Sequence, residues 1–280
     1  MMNEIKPFPC FALHVKNETP LDEAWESLQE AGLTPLYIEE DFKAFPRIYI
    51  LAENELTVKS LLKLFPFIQF VELSELGEID WQSQWEAHGL NFYDGCVHID
   101  LPHACSSYGK QLKLRPGAGF GDLSHPTTRL IVDMLNDNVW GKEVVDIGCG
   151  SGVLALCSVA LGAKHVYALD IDPEALKHCQ ENALLNKMQD KVTISLPQDF
   201  ILSSLSAPPV ILMNMIMTEQ QNAWEALKCL HGRHDICLVS GILSEQKQDY
   251  IHLAQAWGWK VLKEQEEQGW VSLQFEPSKY

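Results

Sequence analysis

A glycine-rich turn between two short apolar runs constrains the fold of this 280-residue chain more than any other feature. The first run ends at Ile147, and the second ends at a carboxylate, Asp170. Between them lie three alternate glycines: Gly148, Gly150 and Gly152. Glycine lets the backbone turn tightly and lets a ligand approach the main chain without a Cβ in the way. A carboxylate about 20 residues beyond such a turn is placed to bind ribose hydroxyls. The pattern therefore predicts a strand–turn–helix–strand unit that binds a nucleoside-bearing cofactor.

The spacing of the glycines distinguishes between the nucleoside cofactors. A dinucleotide fingerprint needs glycine at its first, third and sixth positions, but the sixth position counted from Gly148 is Val153. A P-loop needs Gly-Lys-Ser/Thr, and the sequence has none. What remains is Asp-x-Gly-x-Gly-x-Gly from Asp146, followed by Asp170, which resembles the S-adenosylmethionine loop of class I methyltransferases. The alternative is a glycine-rich turn in an unrelated α/β domain.

Composition narrows the class of protein further. The formal net charge of −17 disfavours nucleic-acid binding, which usually needs a basic stripe, and favours a basic partner. The eight cysteines include no C-x-x-C pair, which indicates a reducing cytoplasm. His231 and His234 lack the companions of a zinc site, so no metal is expected. No apolar run has membrane-spanning length, and no apolar signal core follows Met1. We therefore expect a cytoplasmic protein that binds neither nucleic acid directly nor membranes.

The succession of apolar runs divides the chain into three parts. Residues 1–75 predict a small ferredoxin-like βαββαβ domain, which would recognise the substrate. Residues 76–114 predict a linker helix and connecting strands, with Trp81 and Trp85 on one helix face, where packing is favoured over a ligand role. Residues 115–280 predict a mostly parallel sheet with helices on both faces. The expected fold is α/β, a Rossmann-like class I methyltransferase domain preceded by the ferredoxin-like domain.

Propensity and periodicity also give boundaries for the individual elements. In the first part we expect strands at 11–15, 36–39, 47–52 and 68–73 and helices at 21–31 and 56–64. The connecting strands are expected at 96–101 and 110–114. In the last part we expect further strands at 192–195, 210–213, 236–240, 259–264 and 270–275.

Two further segments contain candidate site residues. One is residues 119–129, GFGDLSHPTTR, and the other is Asn214 at the end of an apolar run. In open α/β sheets, ligands bind at the carboxyl ends of the strands, where Asn214 is expected. Thr127 and Thr128 either cap the following helix or contact a ligand, and His125 braces the same loop.

With these segments in view, nearly the whole chain resembles the family of ribosomal protein L11 methyltransferases. The resemblance includes the βαββαβ front, Asp80-Trp81-x-x-x-Trp85, Phe120-Gly121 with His125-x-Thr127-Thr128-Arg129, the glycine loop, Asp170-x-Asp172-Pro173, Asn214, Ser240-Gly241-Ile242-Leu243 and Gly269-Trp270-Val271. The glycine loop alone identifies only the superfamily. The His-x-Thr-Thr and Ser-Gly-Ile-Leu segments, in this order, are more specific.

The resemblance implies an enzyme that uses S-adenosyl-L-methionine to methylate amines of a large-subunit ribosomal protein, a basic substrate. The amines are those of lysine side chains and of the amino terminus. It also implies that four residues contact the cofactor or frame the reacting centre: Thr127, Gly148, Asp170 and Asn214.

The residues themselves suggest how further groups act. Gly150 belongs to the cofactor loop, and Asp199 is placed either to accept a hydrogen bond from adenine or to be a solvated turn carboxylate. Four apolar side chains would form a wall that lowers the pKa of a lysine amine by desolvation: Phe120, Met213, Met215 and Ile216. Phe120 would also lie near the cofactor. We expect Asn214 to be catalytic, by accepting a hydrogen bond from that amine and aiming its lone pair at the methyl group.

The chain departs from the family pattern at three places near the expected substrate side. It has Asp122-Leu123 for Thr-Gly, Met213-Asn214-Met215 for Ala-Asn-Ile, and Pro208-Pro209 for an aspartate before the same strand. Asp122 would either steer a cationic lysine or be a solvated loop carboxylate. The alternatives to the implied function are a methyltransferase of the same fold that acts on another amine, an amide or a small molecule, and a degenerate domain that acts as a scaffold.

Overall fold

The chain consists of two compact units, residues 1–79 and 80–280, which are described separately. The computed structural model describes residues 10–31, 33–39, 45–51, 61–73, 91–105, 108–117, 121 and 125–278. The expected linker helix, with Trp81 and Trp85, and the site candidates Phe120 and Asp122 lie outside these residues.

The first unit contains an antiparallel sheet of four strands in the order β2-β3-β1-β4. Its elements are β1 (Cys10–Val15), α1 (Leu21–Glu30), β2 (Thr34–Glu39), β3 (Arg47–Leu51) and β4 (Ile68–Leu73). Residues 61–64 are helical, and they are the part of the expected second helix that the structure describes. Phe11, Leu13 and Val15 alternate along β1 and pack on Ala24 and Leu28 of α1. Within the described residues, this order and direction of strands match the expected ferredoxin-like arrangement.

The second unit alternates strands and helices, as the sequence predicts. Its elements are β5 (Phe92–Tyr93), β6 (Cys96–Asp100), β7 (Gln111–Leu114), α2 (Pro126–Asn138), β8 (Glu143–Ile147), α3 (Val153–Ala160), β9 (His165–Leu169), α4 (Pro173–Leu185), β10 (Val192–Ser195), β11 (Val210–Asn214), α5 (Met217–Ala226), β12 (Ile236–Leu243), α6 (Lys247–Ala256), β13 (Trp259–Glu267) and β14 (Trp270–Pro277). None of the helices that the structure describes is long and apolar enough to cross a membrane.

The main sheet of this unit has seven strands in the order β10-β9-β8-β11-β12-β14-β13. The first five are parallel, and β14 and β13 are antiparallel to their neighbours. Consecutive residues of β8 enter different cores: Val144 packs with the layer of α2, α3 and α4, and Val145 packs with the layer of α5 and α6. The prediction of a mostly parallel sheet with helices on both faces is therefore confirmed.

A smaller sheet, β5-β6-β7, lies on the first of these two helical layers. The alternate residues Val97, Ile99, Leu112 and Leu114 are buried in the same core as α2 and α3. These strands therefore belong to the compact second unit. The sequence indicates β6 and β7 but gives no sign that they form a sheet of their own.

Two polar side chains begin the helices next to the site. His125 caps α2, and its Nδ1 accepts from the backbone N–H of Thr127, with Pro126 as the first helical residue. Asp172 caps α4 and accepts from the N–H of Glu174. Asp172 followed by Pro173 is the sequence order expected of such a cap, because proline suits the first helical position. For α2 the cap is His125 and neither of the threonines.

Candidate active site

The glycine loop joins β8 to α3 at the carboxyl edge of the parallel sheet. The N–H groups of Gly148 and Cys149 donate to the carbonyl oxygen of Leu169 at 2.8 and 3.0 Å, which binds the loop to the end of β9. Gly148 has φ of 73°, and a Cβ there would lie 2.8 Å from Cε of Met215. The positive φ favours glycine here, and the absence of a side chain leaves room for the end of Met215.

Asp170 fixes the far side of the same loop. Its Oδ2 accepts from the N–H of Gly150 at 2.9 Å, and its Oδ1 accepts from the N–H of Asp172 at 3.0 Å. Burial raises the pKa of the Asp170 carboxyl above its usual value, and the two backbone hydrogen bonds offset part of that rise. The next residue, Ile171, is 82% exposed, so an apolar side chain lies open to solvent beside this carboxylate. The pair provides a hydrogen-bond acceptor next to an apolar surface.

A second carboxylate, Asp146, lies buried beneath the loop. It is 1% exposed, and neither of its oxygens has a hydrogen-bond partner among the residues that the structure describes. Burial, reinforced by the charge of Asp170, raises its pKa to about 7, and the N–H of Ala155 in α3, which lies outside hydrogen-bond geometry, opposes only part of the rise. Such a carboxyl is half ionised near neutral pH. A cationic ligand bound near it would favour its ionised form.

Asn214 ends β11, the strand next to β8, and is half-buried. Its amide Nδ2 donates to Oγ1 of Thr128, which is fully buried in the first turn of α2, at 3.3 Å. The amide oxygen Oδ1 has no hydrogen bond among the described residues, so it is left to accept one. The sequence gives no way to choose Thr128 over Thr127, because the two are adjacent in one helical turn.

Thr127 has a different partner. It is 2% exposed, and its Oγ1 lies 2.8 Å from Nδ1 of His125. The His125 ring in turn contacts Trp270 edge-on, with ring centroids 4.9 Å apart. Two residues further along α2, Arg129 forms an ion pair with Glu267 of β13 at 2.6 Å. The His-Pro-Thr-Thr-Arg segment is thus fixed to the β13–β14 hairpin.

A polar network connects the glycine loop to the segment before α2. Oγ of Ser151 donates to the carbonyl oxygen of Gly121 at 2.5 Å. The Asn182 side chain donates to the carbonyl oxygen of Ser151 at 2.9 Å and accepts from the N–H of Arg115 at 2.9 Å. Asn182 therefore joins the cofactor loop to the segment that leads to Gly121. Asn182 was not among the predicted site residues, although it and Asn186, the C-cap of α4, are polar residues four apart and therefore lie on one helix face.

The structure also describes four other residues predicted near the site: Asp199, Met213, Met215 and Ile216. Asp199 is exposed, in a turn of 3₁₀ helix after β10, as expected for a carboxylate following that strand. Met213 is fully buried in the core with α5 and α6, so its expected place in the wall of a pocket is wrong. The reason is strand alternation: Asn214 faces the helix α2, and its neighbour must face the opposite side. Met215 and Ile216, just after the strand, are half-buried.

Comparison with known proteins supplies independent information about the chain. The family described as "Ribosomal protein L11 methyltransferase (PrmA)" matches residues 22–278. A protein of Prochlorococcus marinus named ribosomal protein L11 methyltransferase is 35% identical over 205 residues, which are 69% of this chain and 67% of that protein. One of the same name from Carboxydothermus hydrogenoformans is 32% identical over 205 residues, 71% of this chain and 67% of the relative. The chain thus matches about two thirds of the length of these relatives.

Among solved structures, a ribosomal protein L11 methylase of Lactobacillus delbrueckii subsp. bulgaricus is similar to this chain. The sequences are 26% identical, and the TM-score is 0.49. The match covers 59% of this chain and 84% of the other.

Proposed function

The chain belongs to the family of ribosomal protein L11 methyltransferases, and on this premise we propose that it transfers methyl groups from S-adenosylmethionine to amines of that ribosomal protein. The amines are lysine side chains and the amino terminus of the substrate, and the residues 1–75 recognise the substrate. The observation that carries the proposal is the arrangement of Asn214, whose Nδ2 is engaged by Thr128 and whose Oδ1 is left for an incoming N–H.

The residues at the carboxyl edge of the sheet suit this cofactor. Gly148 and Gly150 present backbone without side chains, Asp170 offers a carboxylate to two ribose hydroxyls, and Ile171 offers an apolar surface to a base. The buried charge of Asp146 suits a ligand that bears positive charge. The assignments of Phe120, Thr127 and Asp199 to the cofactor stay predictions.

Methyl transfer needs alignment more than acid–base chemistry. The cofactor would supply a methyl group bound to a sulfonium sulfur. Because that sulfur leaves as a neutral thioether, the protein needs to provide no acid. The task of the protein is to hold the amine nitrogen in line with that methyl group. Asn214 Oδ1 performs it by accepting one N–H, because this turns the nitrogen lone pair away from Oδ1 and toward the methyl group.

The amine must arrive without its proton, against an unperturbed lysine pKa of about 10.4. Desolvation beside apolar side chains lowers that pKa. Met215 and Ile216, which are half-buried after β11, provide apolar surface next to Asn214. The proton leaves to solvent before the transfer, so the protein needs no dedicated base.

An intact-mass assay tests the proposal. The purified chain is mixed with S-adenosylmethionine and unmethylated L11 protein from the same organism, and fragment spectra then locate the modified amines. We expect mass gains in steps of one methyl group, abolished in Asn214→Ala and retained in Asn136→Ala. Asn136 is a matched control because it is an exposed asparagine on α2 whose side chain, among the residues that the structure describes, bonds only its own helix.

The other outcomes have definite meanings. Cofactor binding without mass gain on the ribosomal protein would contradict the stated substrate and favour another amine, an amide or a small molecule. Absence of both cofactor binding and transfer would contradict the enzyme proposal and favour the scaffold alternative. Methylation located on hydroxyl or carboxyl groups would contradict the proposed amine specificity.

A further inference from the structure

The turn that follows Asn214 is held from its buried side by one residue of α5. Gln220 is fully buried, and its Nε2 donates to the carbonyl oxygens of Met215 and Ser240 at 2.6 and 2.8 Å. Its Oε1 accepts from the hydroxyl of Tyr250, on α6, at 2.6 Å. Both N–H groups and the oxygen of the amide are thus used, as burial of a polar side chain requires.

The two carbonyl groups that Gln220 bridges belong to Met215, just after β11, and to Ser240 of the neighbouring strand β12. β11 and β12 pair in parallel as far as Asn214 and Ser240. The carbonyl of Met215 lies one residue beyond this last pair, where the backbone ladder has ended. Gln220 therefore supplies through its side chain the connection between the strands that the backbone no longer makes.

The opposite side of the turn is fixed by contact with β12. Gly241 has φ of 86°, and a Cβ there would lie 2.6 Å from the carbonyl carbon of Met215 and collide with its oxygen. The turn therefore packs on β12 in the space that a side chain at position 241 would occupy, and the Gln220 amide holds it there. These two constraints define the position of the Asn214–Met215 peptide.

The position of that peptide determines where two side chains of the site lie. It bears Asn214, whose amide is aimed at Thr128, and Met215, whose Cε approaches Gly148 of the cofactor loop. A tilt of the peptide would turn the Asn214 amide and move the thioether of Met215. Reactions that depend on alignment lose about a hundredfold in rate for a displacement of about 1 Å.

We infer that Gln220, oriented by Tyr250, is a positioning residue for methyl transfer. It acts through the backbone of Met215 and not on a ligand, so it should govern the rate of transfer more than the affinity for the cofactor. The inference deepens the proposed function and rests on it. The competing interpretation is that the buried amide only stabilises the core.

Three variants and one control separate these interpretations. Gln220→Met keeps the shape and volume of the side chain but removes its hydrogen bonds. Tyr250→Phe removes the hydroxyl that orients the amide, and the third variant combines both changes. Ser272→Ala is the control, because Ser272 is a buried residue of β14 whose hydroxyl donates to Sδ of Met134 on α2 at 3.0 Å, on the other face of the sheet from Gln220.

For each protein, kcat, the cofactor dissociation constant and the melting temperature are measured. We expect Gln220→Met to lower kcat by about tenfold or more while the dissociation constant changes by less than about twofold. Tyr250→Phe should lower kcat less, by about threefold, and should add nothing in the Gln220→Met background, because it acts through the amide. Ser272→Ala should lower the melting temperature and leave kcat unchanged.

A kcat of Gln220→Met equal to that of Ser272→Ala would overturn the inference, and so would a loss in cofactor affinity as large as the loss in kcat. If Gln220→Met does not fold, Tyr250→Phe decides alone, and an unchanged kcat overturns the inference. Absence of transfer by the wild type would contradict the proposed function itself, which distinguishes that failure from failure of the inference.

Discussion

The two ends of β8 each bear a buried carboxylate, and the two differ in the hydrogen bonds that they accept. Glu143 at the amino end is 6% exposed, and its Oε2 accepts from the N–H and hydroxyl of Ser206 at 2.6 and 2.8 Å and from the N–H of Ala207 at 3.2 Å. Asp146 near the carboxyl end is 1% exposed and has no such donor among the described residues. One strand thus bears two buried acids three residues apart, of which the first accepts three hydrogen bonds and the second accepts none from the described residues.

Their pKa values move in opposite directions as a result. Burial alone would raise the pKa of Glu143, but the hydrogen bonds from Ser206 and Ala207 and the charge of Lys164 outweigh it and lower the value. For Asp146, burial and the charge of Asp170 raise the pKa to about 7. The amino edge of the sheet is therefore satisfied by the protein itself, while the carboxyl edge retains a charge that a bound cation would stabilise.

Replacement of Asp146, the acid without a hydrogen-bond donor among the described residues, should produce the largest change in stability. Raising the pKa of Asp146 from 3.8 to about 7 means that its ionisation costs the folded state about 4 kcal/mol. Asp146→Asn should therefore raise the free energy of unfolding of the cofactor-free protein at pH 8, by up to about 4 kcal/mol, less the cost of burying the amide.

The pH dependence of this effect has a defined sign. Between about pH 4 and pH 7 the unfolded chain releases its Asp146 proton while the folded chain retains it, so the wild type loses stability as the pH rises. The gain from Asp146→Asn should vanish below about pH 4 and be complete above pH 7. Urea unfolding at a series of pH values measures it, and a difference that does not vary with pH would contradict the prediction.

Removal of the second acid of this edge should affect binding more than stability. Asp170→Ala should weaken S-adenosylmethionine binding by about a hundredfold, because it removes the acceptor for the ribose and frees the N–H of Gly150 from its partner. Isothermal titration measures the dissociation constant. Asp137→Ala, an exposed acid of α2, is the matched control, and equal affinities of the two variants would contradict the role of Asp170.

Local patterns in the sequence were sufficient to predict the described strands other than the two-residue β5, the glycine loop and the cap at Asp172. Each depends on residues close together along the chain, such as apolar alternation, or a carboxylate followed by proline. Asn214 was a candidate because it ends an apolar run, and the structure places it at the end of β11 as expected; its role came from the family resemblance.

What the sequence did not predict depends on contacts between residues far apart. Thr128 was not distinguished from Thr127 because the choice depends on which hydroxyl faces Asn214, 86 residues away. Gln220 gave no signal, since a glutamine in a helix is usually exposed and only its contacts with two strand ends and Tyr250 explain its burial. The opposite pKa shifts of Glu143 and Asp146 likewise follow from donors on distant segments.

The smallest effect on stability is expected at the amino end of β8, where Glu143 accepts hydrogen bonds from the protein. Glu143→Gln removes a charge that accepts three hydrogen bonds, so it should lower the free energy of unfolding by about 1–2 kcal/mol at pH 7. Because the folded-state pKa is lowered, the stabilising effect of Glu143 is present above the ordinary value of 4.5 and is lost as the pH falls through the folded-state value. The two proteins should therefore become equally stable in acid, which is the reverse of the alkaline gain of Asp146→Asn. Cofactor affinity should not change, since the residue lies at the opposite edge of the sheet, and a weaker affinity in this variant would show that the two ends of the strand are coupled.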